Sequence, residues 1–412
     1  MDFNDTPAEA AFRAEARRFL EANATRRDRE VPQSRQRYEE DSQALTRAKA
    51  WQAKKAAARF AGIMWDEKWG GRGGTAIQQV IYNEEEAQFD VPSGVFGIGL
   101  GMCIPTMMAY ATPSQLDRHV GPALRGEEIW CQLFSEPSAG SDLAGLRTRA
   151  AHDGDHWIVN GQKIWTSGAH YADYGLLITR TDPSKPKHGG LTAFFLDMKS
   201  PGVEVRRIRQ ISGTSHFCEV FFTDVRIPDA QRLGAINDGW KVALTTLMNE
   251  RLAVGEAPRP NVGDLLQLLR ESELDGAPAL RNLAVRERLA DWYVKAQGLK
   301  YTRCRTMTRL SRGETPGPEA SIGKVVSVSQ LQEIAAFGMD LAGQAGAVMD
   351  AALSPMQGWF QNAMLYAPGS RIAGGTDEIL RNIIAERVLG LPGDVRVDKD
   401  VPFNQQRVAK SA

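Results

Sequence analysis

The sequence predicts an α+β protein of several domains, with helices first, strands next and helices again. Three observations predict it. Helical spacing fills the stretch from Pro7 to about Gly126. Short strand-like runs separated by turn residues recur at roughly ten-residue intervals between Glu128 and Arg232. Helical spacing then resumes at Trp240. No βαβ alternation occurs, which argues against a Rossmann domain. The expected boundaries are a helical domain over 1–127, a β domain over 128–237, a helical domain over 238–395, and a loose polar tail over 396–412.

Each element has its local reason. Thr6-Pro7-Ala8-Glu9 supplies an N-cap and a Pro at the first helical position, and Phe12, Ala16, Phe19 and Leu20 follow at helical spacing. A second helix is expected over Ala44 to Arg59, ending before Gly62. The glycine-dense loop from Trp65 to Gly74 follows, either a gate to a pocket or a packed surface loop. A third helix, Ala76 to about Phe89, carries Glu84-Glu85-Glu86 as a solvated face. In the β region, His152-Asp153-Gly154-Asp155-His156 and Asn160-Gly161 read as hairpin turns flanking Trp157-Ile158-Val159 and Lys163-Ile164-Trp165. Further strands are expected at Gly175 to Thr179, Leu191 to Leu196, Val203 to Ile208 and Cys218 to Val225. The later helices are expected over Trp240–Val254, Pro278–Leu310, Glu319–Leu341 and Thr376–Leu389, the last stopped by Gly390 and Pro392.

Composition excludes several classes. The 412 residues carry 50 Lys+Arg against 50 Asp+Glu, so no basic nucleic-acid clamp or polybasic membrane surface is expected. No run of about 18 apolar residues is present, so no membrane-spanning helix is expected. Cys103, Cys131, Cys218 and Cys304 form no C-x-x-C pair and read as reduced thiols. With an acidic opening that lacks an apolar run, they point to a cytoplasmic protein without a signal peptide. His152 and His156 flank a turn, so no metal site is expected. No P-loop, H-E-x-x-H or G-x-S-x-G motif occurs.

Three segments carry chemistry. Ser135-Glu136-Pro137-Ser138-Ala139-Gly140-Ser141-Asp142 follows a strand, and its small residues let backbone N–H groups approach a ligand; an ordinary turn is the alternative. Gly161-Gln162-Lys163-Ile164-Trp165-Thr166-Ser167 sets a Trp beside two hydroxyls, either in the core or facing a ligand. Gly374-Gly375-Thr376-Asp377-Glu378 delivers the chain into a helix N-terminus, an anion site or a plain cap.

Together these three segments, in this order, resemble the acyl-CoA dehydrogenase family over nearly the whole chain. The resemblance implies a flavoenzyme with an N-terminal helical domain, a middle antiparallel β-barrel and a C-terminal four-helix bundle, with FAD as cofactor. It implies that Phe134, Ser135, Gly140 and Ser141 line the flavin and the nearby acyl-CoA. Trp165, Thr166 and Ser167 would sit at the isoalloxazine, and Thr376 and Glu378 at the phosphates and adenosine. Gly343, in Asp340-Leu341-Ala342-Gly343-Gln344, would touch a neighbouring subunit's FAD.

The implied reaction is α,β-dehydrogenation of an acyl-CoA, with electrons passing to an electron-transfer flavoprotein. Many family members carry the α-proton base immediately before the Gly-Thr of the last motif, and here that position is Gly374. A second family location is the helix opening at Trp240. Its stripe of Trp240, Ala243, Leu244, Leu247 and Met248 continues onto Glu250 and Arg251, which makes Glu250 the expected base; a structural ion pair is the alternative. Arg251 and the backbone of Gly374 are expected at the substrate. The Arg-x-Phe-Gly segment with which many members reach a neighbour's FAD is missing here. A homodimer or homotetramer is implied, with a hetero-oligomer open. Two further readings remain: a non-catalytic FAD-binding partner subunit, and a flavin monooxygenase or oxidase on the same fold.

Overall fold

The computed structural model describes residues 5–27, 42–92, 94–252, 260–312, 317–395 and 398–406. In chain order the elements are α1 (Pro7–Asn23), β1 (Thr25–Arg26), α2 (Ser42–Ala57), α3 (Ala76–Glu86), β2 (Phe89–Asp90), α4 (Ile104–Tyr110) and α5 (Pro113–Leu124). The strands β3 (Trp130–Leu133), β4 (Arg149–Asp153), β5 (His156–Ser167), β6 (Tyr174–Arg180), β7 (Leu191–Asp197), β8 (Val203–Ile208), β9 (Phe217–Pro228) and β10 (Arg232–Leu233) follow. Then come α6 (Gly239–Leu252), α7 (Val262–Glu271), β11 (Glu273–Leu274), β12 (Ala277–Pro278), α8 (Leu283–Ser311), α9 (Ala320–Leu341), α10 (Trp359–Ile372) and α11 (Asp377–Ile383). Helical N- and C-terminal regions therefore flank a central sheet, as the sequence predicts. The described chain forms two compact units. One draws on Met1–Arg37, Thr75–Asp90 and Val254–Gly393, the other on Tyr38–Gly74, Val91–Ala253 and Asp394–Ala412.

The sheet-bearing unit is built on one eight-stranded sheet of order β10-β7-β6-β4-β5-β9-β8, with β3 alongside β6. Its pairings are antiparallel except that β3 and β4 each run parallel to β6. β6 and β7 are buried at almost every position because both of their faces are covered. Leu177, Phe194 and Leu196 pack against Trp157, Val159, Val220 and Val225 of β5 and β9, so the sheet curls over its own core. Leu176, Ile178, Ala193 and Phe195 instead pack against Ile104, Met107, Val120, Val242 and Ala243 of α4, α5 and α6. α5 starts where Thr112 closes a capping box with Gln115 and Pro113 takes the first helical position.

In the helical unit, Leu265, Leu268 and Leu269 of α7 pack with Trp292 of α8, Ile334 of α9 and Phe360 of α10. A Cβ at Gly338 would overlap the Phe360 ring, so glycine lets α9 and α10 approach closely. α1 packs on α3, and here a first expectation is corrected. Glu85 is buried rather than solvated, held by Arg17 at 2.9 Å and Arg13 at 3.2 Å. Those two cations, from an earlier helix, satisfy a carboxylate that burial alone would expel.

Other corrections follow from pairing that local pattern does not reveal. Asn160-Gly161 is no turn: β5 runs unbroken from His156 to Ser167, and its register with β9 shifts there by a bulge. A Cβ on Gly161 would overlap Thr148, so the glycine serves strand-to-strand approach rather than reversal. The third helix stops at Glu86, and Phe89 pairs with Arg26 instead. Pro278 belongs to β12; α8 starts at Leu283, where the Asn282 side chain accepts from the N–H groups of Ala284 and Val285. Residues 398–406 are not loose, because they pack onto the β6–β7 connection.

Candidate functional site

The Ser135–Asp142 loop and β5 are fastened at one end by polar groups in the core. Glu136 accepts from the backbone N–H groups of Arg147 (2.6 Å) and Thr148 (2.9 Å) and from the Lys163 ammonium (2.8 Å). Lys163 is fully buried and also donates to the Phe134 carbonyl at 2.9 Å. Burial works to raise the Glu136 carboxyl, but Lys163 and the two N–H groups outweigh it and hold the pKa below the ordinary range. Burial pulls Lys163 the other way, below its ordinary value, and Glu136 recovers part of that shift. Neither residue stood out in the sequence as more than a motif letter. An ionisable residue in each of two blocks was the available signal.

The same junction produces an exposed tryptophan. The β5–β9 register breaks between Lys163 and Thr166. Ile164 N–H turns away from β9 and donates to the Ser135 carbonyl at 2.9 Å. Trp165 adopts φ +58° and is pushed out to 55% exposure, its ring edge-on to Phe217. A non-glycine residue at positive φ is uncommon, and strain of this kind is kept where the surroundings enforce it. Beside it, the Thr166 hydroxyl is buried and has no hydrogen-bond partner among the described residues. Phe134 is buried under the loop, Ser135 and Ser167 are half-buried, and Gly140 and Ser141 are exposed. A Cβ at Gly140 would meet open space.

The remaining predicted residues divide between the units. α6 belongs to the sheet-bearing unit, and its buried face takes up part of the stripe that the sequence suggests: Trp240, Ala243 and Leu247 pack on the core. Val242, Ala243 and Thr246 are buried, whereas Leu244 and Met248 are exposed. On that face the Thr246 hydroxyl accepts from the Thr106 hydroxyl of α4 at 3.0 Å, beside the apolar contacts of Val242 and Ala243. Glu250 lies four residues after Thr246 in the last turn of α6; its side chain and that of Arg251 lie outside the described residues.

The helical unit carries Gly343, Gly374, Thr376 and Glu378. Gly343 opens a short 3-10 turn at φ +54°. Gly374 and Gly375 take φ +63° and +95°, and Lys324 of α9 donates to the carbonyls on either side of Gly374. The Thr376 hydroxyl is used as a cap, accepting from Ile379 N–H at 3.3 Å, and Glu378 is exposed. Asp377 is buried against Arg371 at 2.7 Å. Among the described residues no group of His, Cys, Asp and Glu could hold a metal, and no helix is long and apolar enough to cross a membrane.

Comparison with known proteins adds the decisive observation. Acyl-CoA dehydrogenase N-terminal, middle and C-terminal domains match residues 6–127, 131–225 and 237–389 in turn. The chain belongs to the acyl-CoA dehydrogenase family. It is 40% identical over 324 residues to the acyl-CoA dehydrogenase FadE34 of Mycobacterium tuberculosis, a match covering 78% of this chain and 43% of that longer protein. It is 36% identical over 361 residues to the acyl-CoA dehydrogenase IpdE1 of the same organism, covering 86% of this chain and 91% of that one. Among solved structures, the Tcur3481-Tcur3483 steroid ACAD superposes with a TM-score of 0.79 at 26% identity, over 96% of this chain and 100% of that one. The ChsE4-ChsE5 complex from Mycobacterium tuberculosis gives 0.78 at 28%, with the same coverage.

As an acyl-CoA dehydrogenase family member the chain is a flavoprotein oxidoreductase, with FAD as its cofactor. The residues present fit that group. An exposed aromatic plane held by a strained backbone offers a stacking surface, and the adjacent buried hydroxyl, without a partner among the described residues, could receive one from a heterocycle's polar edge.

Proposed function

We propose that this chain catalyses the α,β-dehydrogenation of an acyl-CoA thioester to the 2-enoyl-CoA. The observation that carries the reading is the β5 bulge, which presents Trp165 and the unpartnered Thr166 hydroxyl next to the Ser135–Asp142 loop. In this reading Phe134, Ser135, Gly140, Ser141, Trp165, Thr166 and Ser167 bind the flavin, with Ser141 also at the acyl-CoA. Thr376 and Glu378 serve the remainder of the cofactor, and Gly343 serves a neighbouring subunit's FAD. Bound FAD would supply the hydride acceptor, with an electron-transfer flavoprotein as the onward electron acceptor.

The chain's own task is to remove the α-proton and to hold the thioester. Gly374 has no side chain to do the first, so the base is Glu250 of α6. Its carboxylate takes the α-proton and becomes the carboxylic acid as the β-hydrogen departs. Such a base needs enough desolvation to bring its pKa toward the working pH, against which Arg251 acts as a neighbouring cation. The Gly374 N–H donates to the thioester carbonyl, where negative charge grows as the α-proton leaves. The likeness to a steroid enzyme supports a bulky, polycyclic acyl group. The test is anaerobic titration of the flavoprotein with a panel of acyl-CoAs, aliphatic and steroid. Glu250→Gln should retain FAD and bind acyl-CoA but no longer lose flavin absorbance; undiminished bleaching sinks the assignment.

A second reading is favoured by Gly374 together with the two-component names of the neighbours: this chain serves as one subunit of a hetero-oligomer. It requires that the purified chain alone shows no bleaching with any acyl-CoA, and that bleaching appears when a second subunit is co-purified.

A further inference from the structure

The far shoulder of the Ser135–Asp142 loop is held by two cations from the β6–β7 connection, and each is also engaged by the C-terminal segment. Arg180, at the end of β6, is buried, and among the described residues no carboxylate lies within ion-pair distance of it. Its guanidinium donates to the carbonyls of Ala144 and Leu146, immediately after the loop, and to the Lys187 carbonyl at 2.8 Å. The Phe403 ring covers it, with its centroid 3.8 Å from Cζ. Burial pushes the Arg180 pKa down to about 10, against the attraction of the Glu136 and Asp142 carboxylates. Lys187 lies between two carboxylates, 3.1 Å from Asp142 at the loop's end and 2.8 Å from Asp398 of the tail. Against the burial that lowers it, those carboxylates hold the Lys187 pKa above its ordinary value.

Backbone pairing fixes the tail in this place. Phe403 N–H donates to the Lys185 carbonyl at 2.9 Å and Asn404 N–H to the Pro183 carbonyl at 3.0 Å. Gln406 donates back to the carbonyls of Asp398 and Val401, which closes the segment on itself.

We propose that residues 398–406 form a clamp acting through Lys187 and Arg180 to hold the Ser138–Asp142 loop in its ligand-binding position. Asp398 and Phe403 are thus positioning residues for acyl-CoA. The role at acyl-CoA rests on the function proposed above, whereas the mechanical coupling does not.

The test compares the full-length flavoprotein with Asp398→Asn, Phe403→Ala, Asp398→Glu and a chain ending at residue 397. Amide hydrogen exchange over residues 137–146 should quicken at least about threefold in the first two variants and the shortened chain, with β8 and β9 unchanged. KM for acyl-CoA should rise about threefold to tenfold with kcat within about twofold, and Asp398→Glu should restore both. Unchanged exchange in all variants overturns the clamp, and faster exchange with an unaltered KM overturns its role at acyl-CoA. A parent protein that dehydrogenates no acyl-CoA refutes the proposed function instead, and the exchange comparison alone then decides the clamp.

Discussion

The Lys163 ammonium lies 2.8 Å from the Glu136 carboxylate, both are buried, and the contact joins two sequence blocks 27 residues apart. Breaking such a pair from one side leaves a buried charge without its partner. Lys163→Met should therefore lower unfolding stability by about 3–5 kcal/mol. Lys163→Met combined with Glu136→Gln should cost less than Lys163→Met alone, because no uncompensated carboxylate remains. Urea unfolding of the parent, Lys163→Met, Glu136→Gln and the double variant measures the difference, and a double variant less stable than Lys163→Met contradicts it.

The pair also sets an acid limit. The folded-state pKa of Glu136 is depressed, so its contribution is present above the unfolded value of about 4.3 and is lost as pH falls through the folded value. The gap in thermal midpoint between the parent and Glu136→Gln should be full at pH 6 and narrow below about pH 4.

Asp229 follows the same sign in a second, more exposed place. Arg232 at 2.9 Å and the Trp157 indole at 2.7 Å hold its pKa at about 2. Asp229→Asn should lower the thermal midpoint above about pH 4 and match the parent near pH 2. A gap that persists undiminished at pH 2 would mean that lost shape, not lost charge, is responsible.

Thr166 should show opposite effects on the empty and loaded protein. Its buried hydroxyl has no partner among the described residues. Thr166→Val therefore leaves the cofactor-free protein as stable or more so, while weakening FAD binding by roughly tenfold, the worth of one hydrogen bond to a buried group. Calorimetry of the two forms and flavin fluorescence titration read these separately.

Gly190 closes the β6–β7 connection so tightly that an added Cβ would overlap the Asp182 carbonyl oxygen. Gly190→Ala should cost about 2–3 kcal/mol through backbone displacement. Because Arg180 and Lys187 flank this turn, hydrogen exchange at residues 142–146 should quicken as well; exchange unchanged there would separate the turn from the loop.

Legibility followed the range of the interaction. The order of helices, strands and helices was readable because periodicity and caps such as Thr6-Pro7 are local. The three chemistry-bearing blocks were readable because their small and hydroxyl residues are contiguous. Glu85 was misread as solvated because the arginines that neutralise it sit on α1, about 70 residues earlier in the chain. Of the α6 stripe, Trp240, Ala243 and Leu247 pack on the core as read, whereas Leu244 and Met248 are exposed, because the buried face is centred on Val242, Ala243 and Thr246. The sequence by itself determined the family, the secondary-structure order and the vacancy of a side chain at Gly374. Only the tertiary structure decided that Lys163 fastens the Glu136 loop, that a register shift in β5 turns Trp165 outward, and that 398–406 grips the loop's other shoulder. Those outcomes depend on which distant groups share a desolvated space, and a buried charge takes its place from its partner rather than from its neighbours in the chain.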